Sequence, residues 1–259
     1  MKILSGKTKF GFTVIQLLLV SLSVQSQGMN PAVGAMELGD VFKPARIKEG
    51  DYTLVMYNQN GASLSNIALL KREIINQTFE SKLCIKITET LTQGATRNRT
   101  TVYVDAKTLS PLFYEMSAND TLVQKATFEN GKSILQVFAD GVEKRSEQIV
   151  SAKSFLSNSF SELIQAVDFE KTNAVKFETF SPGKPSNQYV AERIDEKEFT
   201  LQNNQKIATW VLRFTRIDSK GAKTLAGYRY VDKVYGKVLM YKSDIKAENF
   251  FTYQTLFLQ

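Results

Sequence analysis

Apolar and polar residues alternate along most of this chain, the period-two signature of strands that bury one face. Leu83, Ile85 and Ile87 fall on one side of a segment whose other side carries Lys82, Cys84, Lys86 and Thr88. Ala208, Trp210, Leu212 and Phe214 alternate in the same way with Thr209, Arg213 and Thr215. Further strands are predicted near 52–59, 99–105, 111–117, 121–129, 132–139, 142–149, 174–181, 187–200, 225–233, 237–243 and 250–258. Asn60-Gly61, Asn130-Gly131 and Asp140-Gly141 mark tight hairpins, because type I′ turns need positive φ at both central residues. Asn203-Asn204 and the stretch 218–221 are lesser turn signals.

One segment departs from this rhythm. Leu156, Phe160, Leu163, Ile164 and Val167 recur at helical spacing, and Ser159 with Glu162 has the form of a capping box. A helix of about three turns near 154–168 is expected. Residues 64–77 fit either element: Ile67, Leu70 and Ile74 suit a helix, while Ile74-Ile75 and the flanking strands suit a long strand, which we favour. Even strand spacing and hairpin connections predict a mainly β (α+β) fold, a curved antiparallel sheet or half-open barrel wrapping one helix.

The start of the chain has a different pattern. Lys2, Lys7 and Lys9 precede an apolar run from Phe10 to Val24, and small residues follow around Ser26. This is the layout of a secretory signal, with cleavage expected between Ser26 and Gln27. The run is shorter than the roughly 20 residues of a membrane-spanning helix, so no integral span is expected after cleavage. The expected location is periplasmic or secreted. Residues 27–49, with Pro31, Gly34, Gly39 and Pro44, read as a lead-in ordered only where it docks, and residues 50–259 as one β-rich domain.

Removing those 26 of 259 residues leaves 233 and takes away three Lys and no acid, so the net charge falls from +7 to +4. The remaining basic residues are interspersed with acids, as in Glu192, Arg193, Asp195, Glu196, Lys197 and Glu198, which gives no phosphate-binding stripe for nucleic acid. Cys84 is the sole cysteine, which rules out an internal disulfide. Histidine is absent, so the usual triads and zinc sites are missing too. No cofactor, metal ligand set or catalytic residue is expected, and the chain is not read as an enzyme.

Three stretches carry a family resemblance. They are Val102-Tyr103-Val104-Asp105-Ala106-Lys107-Thr108-Leu109-Ser110-Pro111, the segment from Ser154 to Phe169, and Tyr228-Arg229-Tyr230-Val231-Asp232-Lys233-Val234-Tyr235-Gly236-Lys237-Val238-Leu239. Together they resemble the DUF3108 proteins of bacterial envelopes, similar in fold to the LolA and LolB lipoprotein carriers. The resemblance spans roughly residues 50–245. It implies a LolA-like half-open sheet around a helix, with an apolar interior able to hold acyl chains, and it carries no catalytic residues.

Leu83, Ile85, Ile87, Trp210, Leu212 and Phe214 are therefore the candidate ligand-binding residues, lining a cavity for a lipid or other apolar group. Ordinary core facing the helix is the weightier reading of Trp210 and its neighbours. The alternative reading is a structural or adhesive periplasmic protein that docks an envelope protein partner, and a hydrolase of envelope polymers comes third. Cys84, on the polar side of its strand, lacks the His that would make it a nucleophile. Asp105 and Asp232 sit where strands turn, which suits capping better than paired acid–base chemistry. Asn76, Asn98 and Asn119 head glycosylation-type triplets and mark exposed spots.

Overall fold

The computed structural model describes residues 39–151, 153–201, 203–218 and 220–243, and the backbone of 250–256. The predicted leader and its cleavage point lie outside these residues. The first strands are β1 (Gly50–Asn60), β2 (Ser63–Phe79), β3 (Lys82–Gln93), β4 (Thr96–Asp105), β5 (Pro111–Ala118), β6 (Thr121–Glu129), β7 (Lys132–Ala139) and β8 (Val142–Ile149). After β9 (Ser154–Leu156) and the helix α1 (Phe160–Ala166) come β10 (Ala174–Phe180), β11 (Asn187–Thr200), β12 (Lys206–Ile217), β13 (Lys223–Asp232), β14 (Val238–Lys242) and β15 (Phe250–Leu256). Residues 64–77 are strand, as favoured.

All fifteen strands form one sheet, in the order β8-β7-β6-β5-β4-β3-β2-β1-β15-β14-β13-β12-β11-β10-β9. Neighbours are antiparallel except β9 and β10, which run parallel. The pairing of β1 with β15 joins two meanders into a continuous surface. Asn130-Gly131 and Asp140-Gly141 adopt positive φ throughout, as their hairpins require. Glu80-Ser81 and Asn119-Asp120 do the same without a glycine.

The sheet twists and curls until its two edges meet. Phe128 of β6 contacts Phe180 of β10 edge to face, with ring centroids 5.9 Å apart. Gln148 of β8 donates to the Lys184 carbonyl and accepts from the Gly183 amide. Strands from both halves and the helix share one core, in which Ile87, Val102, Phe177 and Leu212 meet Leu163 and Ile164. The edge strand β8 carries Glu143, Lys144, Arg145 and Glu147, charges that discourage pairing with another chain.

The helical segment is shorter than its sequence pattern predicts. Ser154–Leu156 is strand, Ser157–Ser159 a 3-10 turn, and only seven residues are α-helical. The capping box does not form: Ser159 donates to the Leu156 carbonyl, and Glu162 is drawn to an arginine across the interior. Close packing at Gly236 holds the end of the helix against the turn before β14. Gly236 has φ of 69°, and a Cβ there would stand 2.9 Å from the Gln165 carbonyl oxygen. Gln165 in turn donates to the Tyr235 carbonyl at 2.9 Å.

Residues 41–47 of the lead-in dock on the helix end. The Lys43 amide donates to the Ala166 carbonyl, and the Asp168 amide to the Val41 carbonyl. Lys43 and Arg46 bracket the Asp168 carboxylate at 2.9 and 3.2 Å. Lys43 hydrogen bonding, opposed by burial, holds the Asp168 carboxyl below its usual value. A lowered folded pKa stabilises above the unfolded value, roughly 3.9, and that stabilisation is lost as pH falls through the folded one. Amide exchange at Lys43 and Asp168, corrected for intrinsic rates, is therefore expected to be protected at pH 6 and to accelerate below about pH 4. Protection unchanged to pH 2 would contradict this.

Candidate functional site

Five of the six candidate ligand-binding residues come together in the interior. Ile85, Ile87, Trp210, Leu212 and Phe214 all belong to the cluster that includes Leu163 and Ile164. Leu212 and Phe214 are fully buried, so the chain's own side chains fill this region. Leu83 is a correction: it is 59% exposed at the start of β3, beyond the rim of the core. Trp210 is covered by cations, with Arg193 at 4.4 Å and Lys233 at 3.8 Å from its ring centroid. Arg229 lies over the rings of Phe160, Phe214 and Tyr241.

Cys84 is a second correction. It is fully buried despite its polar strand face, because the 105–110 turn folds over that end of β3. Its thiol donates to the Gln77 carbonyl, and burial pushes its pKa up. Alkylation by iodoacetamide at pH 8 is expected to be at least about tenfold slower in the native protein than in urea. Equal rates would contradict the burial.

The interior also holds a polar constellation that sequence reasoning missed. Register places Tyr52, Arg72 and Glu89 side by side on β1, β2 and β3. Arg72, 3% exposed, donates from Nε to Glu162 Oε1 at 3.0 Å and from Nη2 to the other carboxylate oxygen. The same nitrogen donates to the Asn158 carbonyl, while Nη1 donates to Glu89. Asn158 closes the ring by donating to Glu89 at 2.8 Å. Burial opposes the Arg72 charge, but Glu162 and Glu89 outweigh it and raise its pKa. Burial also lifts the Tyr52 phenol above its ordinary range, and lifts Tyr114 to about 12. These groups fasten the helix to the sheet.

Both turn aspartates act as caps. Asp105 Oδ1 accepts from the amides of Lys107 and Thr108 and from the Thr108 hydroxyl, and Asp232 Oδ1 accepts from the Val234 amide. Leu109, at φ 57°, is buried completely beneath the first turn. The three stretches that suggested a family thus supply two strand-end turns and the interior helix. A family model described as a protein of unknown function, DUF3108, matches residues 52–247. This chain belongs to the DUF3108 family. No curated protein and no solved structure matches this DUF3108 chain.

On the outside of the DUF3108 sheet, Leu64, Ile67 and Leu69 of β2 are 52%, 55% and 47% exposed. They adjoin half-buried Val55 and Tyr57 of β1. A cleft of about 440 Å³ opens on the outer face of β3–β5. No helix among the described residues is long and apolar enough to cross a membrane. No group of three or more Cys, Asp or Glu residues among them is placed to hold a metal ion.

Proposed function

We propose that this DUF3108 protein is an exported, non-catalytic component of the bacterial envelope that docks another envelope protein on its outer surface, its interior serving as structural core. Filling of the concavity carries the reading, because Leu163, Ile164 and their neighbours occupy the space a guest would take. Export rests on the basic-then-apolar leader, and the absence of histidine argues against hydrolysis. Asp105 and Asp232 are committed to their turns. The stripe of Leu64, Ile67 and Leu69 is the apolar area that a partner would cover.

A lipid in the concavity is the second reading, favoured by the apolar lining of Ile87, Leu212 and Phe214. It requires α1 to withdraw. Breaking the Arg72–Glu162 pair costs about 3–5 kcal/mol, and exposing Leu163 and Ile164 about 1.5–3 kcal/mol each. An acyl chain of about ten methylenes returns about 8 kcal/mol, before association costs of at least about 4 kcal/mol. The balance does not favour the guest.

A photo-crosslinker at position 67 in intact cells is expected to give one discrete protein adduct, and one at position 144 none. Ile67→Glu with Leu69→Glu should abolish docking without unfolding the protein. Absence of an adduct at 67, or identical adducts at both positions, would contradict the proposal.

A further inference from the structure

The cleft on the outer face of β3–β5 has a chemistry distinct from the apolar stripe. Register sets Lys86, Tyr103 and Phe113 in one row across the three strands, Thr101 and Glu115 in the next, and Arg99 and Ser117 in a third. Short Thr101 and Ser117 form a floor, and the long neighbours rise around it as walls. Its volume of about 440 Å³ lies within the range of small-molecule sites, roughly 300–1,000 Å³.

One wall is aromatic. Phe79 stacks on Tyr103 with ring centroids 4.5 Å apart, and Tyr103 meets Phe113 edge to face at 5.7 Å. Mutual packing fixes these rings, so they present apolar surface at little entropic cost. The other walls are charged. The side chains of Lys86, Arg99 and Glu115 form no ion pair or hydrogen bond among the described residues. Asp120 at the lip has a partner, Arg97, at 3.8 Å. The groups around the cleft are thus Lys86, Arg99, Glu115 and a packed aromatic wall, with Lys125, opposite Glu115 in register, over the Phe113 ring at 5.6 Å.

We infer that this cleft binds an acidic saccharide, a sugar ring bearing a carboxylate or phosphate. The C–H face of a pyranose matches the aromatic wall, and the acid group matches Lys86 and Arg99, the guanidinium forming paired hydrogen bonds. Glu115 accepts from sugar hydroxyls, which a purely apolar ligand cannot supply. A lipid tail would leave the three charges desolvated without partners, at a cost for each. The open shape of the cleft suits one or two rings of a longer chain.

Saturation-transfer NMR and calorimetry of the full mature protein at low salt test this with a galacturonic acid disaccharide, its neutral galactose counterpart, galactose 6-phosphate and inorganic phosphate. The acidic disaccharide is expected to bind at least tenfold more tightly than the neutral one, with transfer to its ring C–H protons. Lys86→Gln with Arg99→Gln should weaken it at least tenfold and leave the melting temperature unchanged. Comparison of galactose 6-phosphate with the disaccharide tells which acid group the site prefers, and binding of either supports the proposal. Equal binding of acidic and neutral sugars, indifference to the double substitution, or inorganic phosphate binding as tightly as the sugars would overturn it. None of these outcomes bears on the crosslink at position 67, so the two proposals fail separately.

Discussion

Replacing Glu162 with alanine is expected to lower the unfolding free energy by about 3–5 kcal/mol, since removing one partner leaves the other buried and uncompensated. Arg72 is 3% exposed, and burial already works against its charge. Glu162 supplies two of its hydrogen bonds. Glu89 alone cannot compensate, because its other oxygen is held by Asn158. The double change Arg72→Met with Glu162→Leu should recover most of the loss, because apolar replacement of a buried pair is often neutral or stabilising. Urea unfolding of the three proteins gives the comparison. A single variant within about 1 kcal/mol of the parent, against the 3–5 expected, would mean that the helix is not anchored by this pair.

Phe214→Ala should cost about 3–5 kcal/mol, the usual range for truncating a buried aromatic. The ring is fully buried, lies 5.3 Å from Phe160 and has Arg229 over its face at 4.2 Å. Truncation would open a hole in the wall of the concavity, so the variant also separates the two functional readings. A structural core loses stability and gains nothing. A lipid carrier would take up more lipid, and bound ligand would offset part of the loss. Unfolding in the presence and absence of a fatty acid micelle-free solution distinguishes them, with no rescue expected.

Much of the fold was legible because each hairpin strand obeys a local rule. Asn130-Gly131 and Asp140-Gly141 announce their turns, and the strands on either side alternate cleanly. The join at Glu80-Ser81 carries no such mark, since both residues take positive φ under the pull of the paired strands. This is why 64–77 remained open to either element. The helix was overestimated because Leu156 and Val167 are buried for tertiary reasons, one on a strand paired with β10 and the other beyond the helix end. Periodicity registers burial and does not say which element provides it.

The site was less legible. Arg72 reads as an ordinary charge on a strand, and its two carboxylate partners lie 17 and 90 residues away. Hairpin register alone sets Glu89 beside Arg72, but only the curl of the sheet brings Glu162 to it, and no spacing rule finds that contact. Cys84 failed for a related reason: alternation placed it on the polar face, and the turn that buries it comes from 105–110. The interior residues Ile85, Ile87, Trp210, Leu212 and Phe214 were correctly picked as inward-facing. What fills the space beside them depends on how tightly the sheet closes, which a strand pattern does not encode.

The chain's own side chains occupy the interior. Native mass spectrometry of the protein purified gently from cell envelopes tests it most directly. A mass equal to the processed polypeptide alone is expected. A stoichiometric adduct of acyl-chain mass, retained or increased in Phe214→Ala and removed by organic solvent, would contradict it.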